Sequence, residues 1–171
     1  YAFNGCSSLK SVRIGEGLKY IDQDAFSKCT ALESIEWNAI NCNVYSQYTN
    51  HLPFSSCEQI TSFTFGDSVE SLPNKICYGM NNLQSIIIPN SVTSIGDHAF
   101  YSCDSLTSVT IPNSVTNIGS YAFQHCSSLA FVTIGNSVTS IGDNAFYGCS
   151  SLTSATIGKR VTSIGDKAIY D

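Results

Sequence analysis

Apolar residues recur along this chain in step with a 23-residue interval. The stretch SIGDHAFYSC, beginning at Ser94, returns as NIGSYAFQHC from Asn117 and as SIGDNAFYGC from Ser140. One column reads Phe3, Phe26, Phe54, Cys77, Phe100, Phe123, Phe146 and Ile169, and every step is 23 residues except the 28 between Phe26 and Phe54. Three positions further on stand Cys6, Cys29, Cys57, Met80, Cys103, Cys126 and Cys149; three beyond those stand Leu9, Leu32, Ile60, Leu83, Leu106, Leu129 and Leu152. Units this short cannot bury their apolar columns alone, so the pattern predicts that each stacks on the next and that the core exists only in the stack.

Within one unit the elements follow from local pattern. From the Leu column the chain reads L-x-x-V-x-I, as in Leu106, Val109 and Ile111. This alternation of β-branched residues predicts a short strand with one buried face. Pro112, Asn113 and Ser114 then predict a reversal, and Val115 and Ile118 a return path. Gly119, matched by Gly96, Gly142 and Gly165, marks a position where a Cβ would be strained, although Asp22 fills the same slot in an early repeat. Asp97 is the expected N-cap of one or two helical turns that bring Ala99, Phe100 and Cys103 to one face. Strands recurring once per unit are parallel, and at about 4.8 Å per strand seven of them span roughly 29 Å. The expected architecture is an α/β, right-handed solenoid of about seven coils, with a parallel sheet on the concave face and turns and short helices on the outer face. A single array covers residues 1–171, with five extra residues inserted within 38–53; it opens without Met inside a repeat, as a fragment of a longer repeat protein would.

These residues resemble the BspA-like leucine-rich repeat family, related to the treponemal type of leucine-rich repeat. The likeness rests on the L-x-x-V-x-I strand, the I-P-N-S-V-T-x-I-G-x-x-A-F-x-x-C segment and the 23-residue period. It covers essentially the whole chain and is strongest between Ile88 and Ile164. The inserted segment, Cys77, Met80 and Ile169 depart from it. The resemblance implies a cell-surface or secreted protein of bacteria or parasitic protists, with a role in adhesion to host matrix or other cells.

Composition narrows the partners. The net charge is −5 and no Lys or Arg falls between Lys75 and Lys159, which disfavours phosphate backbones and anionic membranes. No apolar run is long enough to span a bilayer, and no Asn-x-Ser/Thr sequon occurs.

Candidate chemistry is sparse. His98 aligns with Tyr121, Asn144 and Lys167, and His125 with Ser102 and Gly148, so both are read as solvated outer residues. No C-x-x-C pair, nucleophile elbow or phosphate loop is present. No catalytic residue, cofactor or metal is expected, and the chain is read as a non-enzyme. The cysteine column is read as free, buried apolar filler, because parallel side chains one rung apart do not face each other as a disulfide requires. Cys42 is the exception, able to pair or to be a reactive exposed thiol. Glu33 and Glu36 align with Lys10 and Arg13 and predict cross-strand ion pairs.

Partner binding is assigned to the outward side chains of the strands and to the insertion. One outward column is Ser11, Ser34, Ser62, Ser85, Ser108, Phe131, Ser154; the next is Arg13, Glu36, Thr64, Ile87, Thr110, Thr133, Thr156. Phe131 and Ile87 break a field of hydroxyls and are candidate anchors. Tyr45, Tyr48 and His51 give the insertion a contact-surface character. The expected function is adhesion to a protein or glycan through the concave face (Glu36, Thr64, Ile87, Thr110, Phe131, Thr133) or the insertion. A structural spacer and an intracellular interaction scaffold are the alternatives.

Overall fold

The computed structural model describes residues 1–45 and 52–170. In chain order the strands are β1 (Ser11–Ile14), β2 (Tyr20–Asp22), β3 (Ser34–Trp37), β4 (Asn43–Tyr45), β5 (Ser62–Phe65), β6 (Ser71–Leu72), β7 (Ser94–Ile95), β8 (Ser108–Ile111), β9 (Asn117–Ile118), β10 (Phe131–Ile134), β11 (Ser140–Ile141), β12 (Ser154–Thr156) and β13 (Ser163–Ile164). All pairings are parallel. Two ladders result. One carries the L-x-x-V-x-I strands, in the orders β1-β3-β5 and β12-β10-β8; the other carries the return strands, as β2-β4 and β13-β11-β9-β7-β6. The molecule is a parallel-sheet solenoid of about six turns, rather than the seven coils expected.

The predicted columns set the register. Phe131 pairs with Ser108 and Ser154, and Ser34 with Ser11 and Ser62. β5, β8 and β10 alternate exposed and buried residues. Inside, Phe100, Phe123 and Phe146 stack with centroids 5.0 and 5.1 Å apart, and Leu106, Leu129, Ile118 and Val138 fill the space around them. Burying each such side chain contributes on the order of 1.5–3 kcal/mol, obtained only when the neighbouring repeat is present.

The outer segments are turns, and no helix forms among the described residues. The reason lies two residues to either side of each Phe, where the backbone is left-handed: His98 (φ 55°) and Ser102 (φ 51°), then Tyr121 and His125 (both φ 61°). Two left-handed residues within five break any right-handed helical run. Asp97 therefore caps no helix. Its Oδ1 accepts the Ser120 N–H of the next repeat at 2.8 Å, as Asp143 accepts that of Asp166. Other polar side chains cross the same junctions: the Thr116 hydroxyl donates to the Thr93 carbonyl at 3.1 Å and Thr139 to that of Thr116. The repeated glycine is explained by proximity rather than by a left-handed backbone. A Cβ on Gly142 would stand 2.5 Å from the Ser120 nitrogen and 2.7 Å from the Gly119 carbonyl carbon.

The five extra residues can be placed by register. β4 pairs with β2 at the regular interval through Asp22 and Tyr45, whereas the Asp24 N–H already donates to the Leu52 carbonyl, 28 residues on. The additional length thus enters between Tyr45 and Leu52, at the point where the return ladder divides.

Candidate interaction surface

The outward face of β1, β3 and β5, continued by β8, β10 and β12, presents the two polar columns. Arg13 and Glu36 are opposite each other in register, and the Arg13 Nε donates to Glu36 Oε1 at 3.3 Å. Both side chains are largely exposed, so the pair contributes about 0–1 kcal/mol. The Thr64 hydroxyl turns back onto the Ile35 carbonyl at 3.4 Å, while Thr110 and Thr133 are exposed and adjacent in register. Phe131 is 59% exposed and Ile87 83% exposed. Both anchors expected from sequence therefore stand on the solvent side, about two rungs apart. Tyr45 belongs to β4 by its backbone and so lies away from this face; Tyr48 and His51 fall outside the described residues.

Residues 85–88 interrupt the surface. Ser85, Ile86, Ile87 and Ile88 occupy the strand position by spacing and alternate in burial, yet join neither β5 nor β8 in a ladder. A groove of about 260 Å³ runs over this junction, lined by residues 61–65, Ser85 and Ile87, while Phe63, Phe65, Ile86 and Ile88 beside it are buried.

The cysteines are free, but the inward column does more than fill space. The Cys126 thiol donates to the Phe100 carbonyl at 3.1 Å, Cys149 to that of Phe123 at 3.2 Å, and Cys57 to that of Phe26 at 3.1 Å. Burial pushes the Cys77, Cys103 and Cys126 thiols well above their ordinary range and Cys57 up to about 11. Cys42 is neither exposed nor paired. It is 3% exposed, its thiol faces the Asn43 carbonyl at 3.7 Å, and burial raises it to about 11. Only Cys6 lies at the surface.

His98 and His125 are half-buried rather than freely solvated. His98 stacks on Tyr121 at 4.6 Å, and His125 meets Tyr101 and Tyr147 edge-on at 5.5 and 5.7 Å. Tyr78 stacks on Tyr101 at 4.5 Å and Tyr147 on Tyr170 at 5.8 Å. This outer aromatic ridge was open to sequence reading, since Tyr78, Tyr101, Tyr147 and Tyr170 all follow the Phe column by one residue. Burial, followed by the nearby Lys75 charge, lowers the His98 pKa against the opposing pull of Asp97.

Among the described residues no helix is long and apolar enough to cross a membrane. Two solved structures are similar over nearly the whole chain. A T. pallidum leucine-rich repeat protein shares 27% identity at a TM-score of 0.74, over 91% of this chain and 72% of that one. A leucine-rich cell surface protein of Faecalibacterium prausnitzii A2-165 shares 27% identity at 0.73, over 94% of this chain but only 45% of the larger protein. No curated protein matches. The family model described as "BspA type Leucine rich repeat region" matches in six copies over residues 1–72 and 49–171. With the parallel ladders and the columns of Phe, Cys and Leu, that match places the chain in the BspA-type leucine-rich repeat family.

Proposed function

We propose that this chain is a non-enzymatic adhesion or binding module of a larger cell-surface or secreted protein, taking a protein or glycan partner on its concave face. Proteins of this family generally serve as interaction modules, and one similar structure is that of a cell surface protein. The observation that carries the reading is Phe131, an aromatic ring 59% exposed on a rigid strand whose register partners are serines. A large ring held in place at little further entropic cost is the usual form of a binding anchor. The charge of −5 favours neutral or basic partners.

The test is binding to immobilised extracellular-matrix proteins and to a glycan array. Phe131→Ser restores the hydroxyl of its column and should leave the fold intact, yet weaken binding by about 1–2 kcal/mol. Undiminished binding would rule out the anchor. If binding survives this change but fails when the five extra residues are removed, recognition belongs to the insertion. Should neither change matter in a protein that binds, the spacer reading gains.

A further inference from the structure

Among the described residues, the junction between the third and fourth repeats keeps only one of the three bonded columns, whereas the second–third junction, without its return ladder, and the fourth–fifth, without its ladder of L-x-x-V-x-I strands, each keep two. In the ladder of L-x-x-V-x-I strands, β5 pairs with β3 on one side only, and residues 85–88 fail to complete the ladder on the other. On the outer side, regular repeats exchange backbone bonds: His98, Phe100 and Ser102 donate to Ser120, Ala122 and Gln124. Among the described residues no such bond joins the turn at 52–57 to the turn at 75–80. The N–H groups of Phe54 and Ser56 and the carbonyls of Ile76 and Tyr78 are left without those partners, beside a groove of about 530 Å³. The sequence supplies the cause, because the fourth repeat has Cys77 in place of the stacking Phe and Met80 in place of the thiol donor. The return strands still hold: β6 pairs with β7 through Ser71–Ser94 and Leu72–Ile95.

We propose that the open edge of β5 accepts an extended polypeptide strand in the slit between β5 and residues 85–88. This rests on the reading of the concave face as the contact surface and narrows its partner to a protein segment that docks by strand addition. The edge offers what such docking requires. Unpaired main-chain groups give affinity that depends little on sequence, and alternate side chains give selectivity. Thr64 and Ile87 frame the outward side of the slit, and the groove is lined there by Thr61, Ser62 and Ser85. A glycan has no alternating N–H and C=O groups with which to complete the ladder.

The probe is a synthetic peptide of residues 106–113, LTSVTIPN, whose strand pairs in parallel within this array, measured against isotope-labelled protein. In the free protein, amides at 85–88 should exchange at least tenfold faster than those of β8. Equal protection would mean a closed ladder and would overturn the proposal. Added peptide should shift and protect amides at 62–65 and 85–88, and the same peptide carrying Val109→Pro should bind at least tenfold more weakly. Shifts confined to the end strands β1 or β12, or to the surroundings of Phe131, would overturn the slit; the last outcome would leave the concave reading standing. Slit shifts that persist unchanged in Phe131→Ser would support strand addition while removing the aromatic anchor. A variant with Phe65→Ile, Cys77→Phe and Met80→Cys restores the regular columns. It should slow exchange at 85–88 and lose peptide binding at least tenfold, whereas unaltered binding would count against the proposal.

Discussion

The Phe65 ring meets that of Phe100 edge-on, with 6.4 Å between centroids and 89° between planes. In the Phe column Cys77 stands between Phe54 and Phe100 and has no ring to stack. The aromatic contact instead passes from Phe54 to Phe63 at 6.2 Å, from Phe63 to Phe65 at 5.0 Å, and then to Phe100. Phe63 and Phe65, larger than the Val109 and Ile111 or Val132 and Ile134 of the later repeats, thus fill the volume that the missing Phe leaves, although they do not restore the hydrogen bonds of the turn.

Phe123 should be among the costliest positions to truncate. Its ring is fully buried between Phe100 and Phe146, so Phe123→Ala is expected to cost about 3–5 kcal/mol in urea unfolding. In a stacked array the loss should spread to neighbouring repeats and broaden the transition. A cost under about 1 kcal/mol would contradict the burial.

Thiol chemistry should separate one cysteine from seven. Cys6 is exposed and the others are buried. Ellman's reagent at pH 8 should modify one equivalent rapidly and the rest only on unfolding, and reductant should leave the Tm unchanged. Rapid reaction of Cys42, which burial raises to about 11, would show that its pocket opens in solution.

A pH dependence follows from His98. Its folded pKa lies below the ordinary 6.5, first because of burial and then because of Lys75. Below pH 6.5 the unfolded chain binds the proton more readily than the folded one. The stability associated with neutral His98 is therefore complete above pH 6.5 and falls as pH drops through the folded value. His98→Tyr places at this left-handed position the residue already found at Tyr121 (φ 61°). It should flatten the slope of stability against pH below 6.5; an unchanged slope would assign that slope to other groups.

Gly142→Ala isolates the spacing between turns. The added methyl would press on backbone atoms of Gly119 and Ser120, which cannot rotate aside as the end of a side chain can. The expected loss is about 1–3 kcal/mol. Calorimetry showing a neutral effect would mean that adjacent turns can separate without cost.

Much of this architecture was legible from spacing. The Phe, Cys and Leu columns predicted which residues are buried within the array, though not at its ends, where Phe3, Cys6 and Ile169 lack a covering repeat and are exposed. The Ser11 and Arg13 columns predicted the register between β1, β3 and β5. Of the two ion pairs expected, Arg13–Glu36 forms, whereas among the described residues none joins Lys10 to Glu33. The outer segment forms no helix although Asp97 and the apolar residues after it fit a helical start, because the backbone is left-handed at His98 and Ser102. The sequence signal for this lay in Gly5, Gly79 and Gly148, which occupy the Ser102 column with φ of 77°, 71° and 71°. Cys42 sits beside irregular sequence and looks exposed, yet it packs beneath the return strands. The slit was unreadable from residues 85–88 themselves, whose three isoleucines form a strong strand signal. Its cause lies in Cys77 and Met80, which act through the opposite side of the repeat.

The surviving β6–β7 contact has a mechanical meaning. Tension applied along the axis of a stacked array passes through every junction in series, so extension begins where the fewest cross-links share the load. If this segment tethers a cell to a surface under flow, the third junction is where it would yield first. The repeats on either side would remain wound while the connecting turn lengthened, absorbing a pull before the contact itself gave way.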